Sequence, residues 1–116
     1  MSSIERHGAG PRWSDIVVHN GVARWVEVAD DPSADVAGQV GQVLAQIDAT
    51  LARVNSRREN VLEVLIFLSD LADAAALKQA WDAWVVPGHA PIRACVGAAL
   101  SGAYRVEMII TAVVET

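Results

Sequence analysis

The sequence predicts an α+β fold in the order β-β-α-β-α-β-β, a mixed sheet with two helices on one face. Three observations predict it. Alternating apolar runs flank Asn20-Gly21, the dipeptide that most strongly signals a two-residue hairpin turn. Val36, Val40, Val43, Ile47, Leu51 and Val54 recur three or four residues apart, so one apolar stripe runs along a long helix. Near the end, Tyr104, Val106, Met108, Ile110, Ala112 and Val114 fall on alternate positions, the period of a strand with two unlike faces.

Each element has its own signal. Residues 1–14 are weakly patterned, because Gly8, Gly10 and Pro11 interrupt regular structure, and Trp13 follows that bend. Asp15–His19 is then a strand, and Val22–Val28 returns as its partner. Asp30-Asp31-Pro32-Ser33 is a loop and helix start, with acidic side chains near the positive end of the helix dipole. Along this helix of about 20 residues, Gln39, Gln42, Gln46 and Arg53 are expected on the wet side. Asn55-Ser56 offers a stop. Val61–Leu68 is apolar on both faces except at Glu63, which reads as a central strand. A second helix is expected from about Ala72 to Val85, with Leu77, Trp81 and Trp84 or Val85 buried and Lys78 and Asp82 outside. After a Pro/Gly loop comes a strand to about Ala99, then a turn at Ser101-Gly102-Ala103.

Composition narrows the function classes. The chain has 116 residues, 53% of them hydrophobic, and reads as one domain, 1–116, with a core of mostly small branched side chains. A formal charge of −5 argues against an electrostatic nucleic-acid binder. The basic cluster of Arg53 with Arg57-Arg58 reads as the solvated end of a helix and its loop. No apolar run reaches the length of about 18 residues that a membrane span needs. The first residues lack a signal peptide's apolar segment, and Cys95 is the one cysteine, so a reducing cytoplasm is expected. Two helices can cover only one face of the sheet. The other face is apolar, which favours a homo-oligomer that buries it.

Chemistry is expected around Pro87–Val96. In its second half Ile92, Ala94 and Val96 fall on one side, and Arg93, Cys95 and Gly97 on the other. A guanidinium in an otherwise apolar strand needs an anion, since an unpaired buried charge is costly. That anion is either an internal carboxylate (Glu63, Glu107 or Glu27) or the carboxylate of a ligand. Bidentate recognition of a free carboxylate suits a rigid guanidinium. Cys95 reads as a small buried thiol rather than a nucleophile, and His89 as a structural or rim residue. Trp81 and Trp84 read as packing groups, and Trp25 as either core or interface. The histidines and acids show no metal-ligand spacing, so neither metal nor cofactor is expected.

Taken together, certain stretches resemble the YjgF/RidA family of small trimeric proteins. They are Arg12-Trp13-Ser14-Asp15 with His19-Asn20, and Ile66-Phe67-Leu68 with Asp70. With them go Ala80-Trp81-Asp82-Ala83-Trp84-Val85-Val86, Gly88-His89-Ala90-Pro91, Arg93, and Tyr104-Arg105-Val106-Glu107. The resemblance implies a chorismate-mutase-like α+β fold, a homotrimer, and clefts between subunits that bind a small-molecule carboxylate. It implies that Arg93 holds the carboxylate of a 2-imino or enamine acid. It also implies that the backbone around Cys95 orients the substrate and that Trp13 lines the cleft. The family glutamate that positions the hydrolytic water would fall at Ile109; Glu107 is a different carboxylate, about 7 Å away along the strand. Glu27 stands where the family often has Gly, and so brings an extra anion towards the cleft.

The expected site is therefore Arg93 and Glu107 as catalytic residues, with Cys95, Trp13, Glu27 and His89 binding substrate beside Arg93. Three activities compete. One is hydrolysis of reactive imino or enamine acids to 2-oxo acids and ammonia. Another is non-catalytic binding of metabolite carboxylates at the same clefts. The third, carried by the resemblance alone, is an RNA-directed or translation-inhibiting role, the least favoured given the acidic charge.

Overall fold

The computed structural model describes residues 3–115. Six strands form one mixed sheet in the order β1-β2-β3-β6-β4-β5, and two helices cover one of its faces. The strands are β1 (Glu5–His7), β2 (Ile16–His19), β3 (Val22–Val28), β4 (Val61–Leu68), β5 (Ile92–Gly97) and β6 (Val106–Val113). The helices are α1 (Val36–Arg53) and α2 (Ala74–Trp84). All neighbouring strands are antiparallel except β4 and β5, which α2 joins as a parallel crossover.

The observed order has one strand more than expected. Glu5–His7 pairs with Ile16–Val18, although three charged or polar residues carry no apolar alternation. The remaining strands fall where the periodicity puts them. Asn20 and Gly21 both take positive φ, 52° and 74°, as a type I′ turn demands.

Helix α1 starts one step later than the acidic loop suggests. Asp35, not Asp30 or Asp31, is the N-cap, and its carboxylate accepts from the Gly38 N–H at 2.8 Å. The helix ends as Asn55-Ser56 predicts. Asn55 takes the left-handed conformation (φ 58°), while Asn55 N–H donates to the Ala52 carbonyl and Ser56 N–H to that of Leu51. This is a Schellman stop with asparagine where glycine is commonest. Helix α2 begins at Ala74 after a 3-10 turn over Leu71–Asp73. There the Asp70 carboxylate accepts from the Ala72 N–H.

The core lies between the helices and the sheet. Val40, Val43, Ile47 and Leu51 of α1 meet Val64, Ile66, Met108 and Ile110, all essentially without solvent exposure. Trp25 belongs to this core rather than to an interface, as do Leu77, Trp81 and Trp84 of α2. Alternate residues point to the uncovered face. Val26, Ile92 and Val96 there are 53%, 68% and 46% exposed, with Leu65, Phe67 and Ile109 between them.

The glutamines of α1 are a correction to the expected wet face. Gln39 is fully buried. Its amide donates to the carbonyls of Pro32, Ala34 and Ala103, and its oxygen accepts from the Arg105 N–H at 2.8 Å. Gln42 and Gln46 tie down the loop before the helix, accepting from the N–H groups of Asp31 and Asp30. These segments have no ladder partner, so a side-chain amide supplies both the donor and the acceptor they need.

Replacing Gln39 by Leu keeps the volume but strands three carbonyls and one N–H. The expected loss is about 2–4 kcal/mol of stability, read as a lower urea midpoint at unchanged m-value.

Candidate functional site

Strand β5 carries Arg93 on the helix-covered side of the sheet, opposite Val64 of β4, and Cys95 follows on the same side, opposite Ile66. The expectation of a buried guanidinium in an otherwise apolar strand is overturned. β5 is the edge strand, and Arg93 is exposed. It pairs with none of Glu63, Glu107 and Glu27, and among the described residues its guanidinium has no hydrogen-bonded or ionic partner. What it has is a ring: its Cζ lies 5.6 Å from the centroid of Trp81. Trp81 is itself held against Trp84, centroid to centroid 5.4 Å at 40°. Cys95 is half-buried against the core. His89 sits in the exposed turn before β5, where Gly88 has φ 80° and His89 N–H donates to the Val86 carbonyl.

A second arginine shows what a completed site of this kind looks like. Arg58 lies over Trp84 at 5.3 Å and reaches Asp48 with two hydrogen bonds, Nε to Oδ1 at 2.8 Å and Nη2 to Oδ2 at 2.7 Å. Its third nitrogen donates to the Trp84 carbonyl, and Trp84 Nε1 donates to Asp48. The hydrogen bonds to Asp48 raise the Arg58 pKa above its ordinary value. Arg58 is thus a tie between α1 and α2, not merely part of a solvated basic cluster.

Trp13 and Glu27 lie near the other end of the sheet. Trp13 is at the tip of the β1–β2 loop, 70% exposed, with the loop closed by Gly10 N–H to the Trp13 carbonyl. Glu27 of β3 faces α1. Its Oε1 accepts from Trp25 Nε1 at 3.0 Å and from the Thr50 hydroxyl at 2.7 Å, and its Oε2 from Gln46 at 3.1 Å. A cleft of about 340 Å³ opens beside it, lined also by Asp15, Asp30 and Arg53. Glu107 is on the uncovered face, opposite Phe67 and Val28, with Ile109 two residues on along that face.

The sheet therefore sets Arg93 and Cys95 on one face of β5, with His89 in the turn before that strand, while Trp13 and Glu27 line different clefts. Three strand spacings, roughly 14 Å, lie between β3 and β5. Arg93 and Glu107 stand on opposite faces of one chain. No cluster of three or more His, Cys, Asp or Glu placed to hold a metal ion occurs among the described residues, and none of their helices is long and apolar enough to cross a membrane.

Residues 8–114 match the protein family described as Endoribonuclease L-PSP. The RutC family protein YoaB of Escherichia coli is 45% identical over 113 residues, covering 97% of this chain and 99% of that one. The chain belongs to the YjgF/RidA family. Solved structures agree. A Pseudomonas aeruginosa protein superposes with a TM-score of 0.92 at 42% identity, covering 97% of this chain and all of the other. A YjgF family member from Neisseria meningitidis gives 0.91 at 40%, covering 98% and 97%. The six-stranded sheet with two helices is thus a YjgF-like fold.

Within this YjgF/RidA fold, three participants escaped the sequence reading. The Trp81 ring under Arg93 could be suspected only from the i, i+3 spacing of two tryptophans on one helix. Gln46 and Thr50, which hold Glu27, follow one another at i, i+4 on α1, but nothing local says which strand they face.

Removing the Glu27 carboxylate leaves the Trp25 N–H and the Thr50 hydroxyl without an acceptor, while the Gln46 amide keeps the Val28 carbonyl. Glu27→Ala is expected to cost about 1–3 kcal/mol in urea unfolding, and the Trp25 emission should shift as its N–H loses its partner.

Proposed function

We propose that this protein binds small 2-imino or enamine acids through Arg93 and hydrolyses them to 2-oxo acids and ammonia. The observation that carries this reading is the state of Arg93: exposed, laid on a ring, and without a carboxylate partner among the described residues. A guanidinium in that state is a two-point donor to a free carboxylate. The outer edge of β5 adds unpaired backbone donors and acceptors beside it, since among the described residues β5 pairs only with β4. In the reaction, an enamine first takes a proton from water at its β carbon and loses its N–H proton to become the imine. Water oxygen then attacks the imine carbon and one water proton passes to nitrogen. The hydroxyl proton follows it to nitrogen as the C–N bond breaks and the C=O bond forms, releasing ammonia. Positioning of substrate and water supplies the rate.

The working unit in this proposal is a homotrimer. The apolar open face, with Ile92 and Val96 exposed in one subunit, is the surface to be buried. Trp13 and Glu27 are too far from β5 in their own chain to complete its site, so a neighbouring subunit contributes them.

A second reading, carboxylate binding without turnover, has its own support. Ile109 occupies the position of the expected glutamate, and Glu107 lies on the face away from Arg93. An RNA substrate, which the family description suggests, finds little support in a chain of net charge −5.

Two measurements decide. Arg93→Ala should leave the assembly mass unchanged by light scattering, yet weaken pyruvate binding by at least about tenfold in calorimetry; equal affinity sinks the reading. When a PLP enzyme generates 2-aminoacrylate, the wild-type protein should clear it faster than the spontaneous rate. Binding without acceleration leaves the second reading.

A further inference from the structure

Helix α2 presents two neighbouring indoles, and each has an arginine over it. Arg58 on Trp84 is complete: ring beneath, Asp48 bound edge-on through Nε and Nη2. Arg93 on Trp81 has the ring but, among the described residues, no acid. The four groups follow one another as Arg93, Trp81, Trp84, Arg58, the two rings tilted by 40°, and the far end is fixed by Asp48, which also takes the Trp84 N–H at 3.0 Å.

We propose that Trp81 is a positioning residue for the carboxylate site. Its indole seats the Arg93 guanidinium flat, leaving the guanidinium edge to take a ligand carboxylate in the two-point manner in which Arg58 takes Asp48. The proposal rests on the carboxylate-binding reading above and adds to it the residue that prepares the arginine.

Arg93 stands on an edge strand, so its long stem is free to sample many rotamers, and ordering it on binding would weaken affinity. A cation over an indole face is attracted by the ring quadrupole, which removes much of that freedom in advance. The ring must itself be immobile for this to work. Trp81 is only 6% exposed and is backed by Trp84, which Asp48 holds by its N–H. Cys95, the next residue on that face of β5, is small and leaves room beside the guanidinium.

The test uses the intact protein, Trp81→Phe and Trp81→Leu, pyruvate as probe, and NMR of the arginine side chains. In the wild type, ring current should shift the Arg93 Cδ protons upfield; Trp81→Leu should abolish that shift. Pyruvate should bind about three- to tenfold more weakly to folded Trp81→Leu, with Trp81→Phe intermediate, and Trp81→Leu should have no further effect in an Arg93→Ala background. A merely structural Trp81 would lower the unfolding midpoint and leave the Kd of the folded protein unchanged. Equal Kd values with a binding wild type overturn the role of Trp81 alone. A wild type that binds no carboxylate overturns the functional reading and this inference with it. Should Trp81→Leu not fold, the absence of an upfield Arg93 shift in the wild type suffices to overturn the seating.

Discussion

An 18-residue helix and an 11-residue helix are the α-helices that the described residues lay against six strands. They suffice for one side. There the side chains close into a core with Val40, Val64, Met108 and Ile110 wholly out of solvent. Every strand that contributes to that core presents its alternate residues to the other side, because the pleat gives no choice. The exposed Val26, Ile92 and Val96 follow directly from the buried Trp25 and the half-buried Cys95. The same constraint places Arg93 with the helices and Glu107 away from them.

Polar ties fix how the helices meet the sheet. Gln39 joins the loop before α1 to the turn before β6, with bonds spanning 64 and 66 residues of sequence. Glu27 pins β3 to α1 through Thr50 and Gln46, and Asp48 joins α1 to α2 through Arg58 and Trp84. Each tie satisfies groups that would otherwise lie unpaired near the core, so they set the position of the helices more than they add net stability. The Trp81 ring under Arg93 inherits its place from the last of them.

Much of the fold was legible because its signals are local. Asn20-Gly21 and Asn55-Ser56 state their backbone conformations outright, and the alternation from Val106 to Val113 needs no partner to be read. Strand order is not local. The apolar residues around Arg93 suggest a covered strand, yet β5 ends up at the rim and its arginine in solvent, because nothing in a periodicity says which strand lies outermost. Glu5–His7 was invisible for the converse reason: its strand character comes wholly from the register with β2. Hydropathy placed Gln39 in water, whereas its amide is used for distant backbone groups. Of the site, the arginine and the small neighbour on its strand face were readable, and the ring beneath it was not, since that contact joins two elements across the crossover.

The two rims of the sheet are chemically unlike. One is Glu5-Arg6-His7, short, charged and fully wet; the other is β5, which offers Ile92 and Val96 beside its free backbone edge. Sheet-to-sheet growth in a continuous ribbon would have to seat the charged rim of one molecule along the apolar rim of the next. The three-residue strand is too short for that ladder and loses hydration in forming it. Edge-to-edge pairing of copies is therefore disfavoured at the polar strand by its length and its charge.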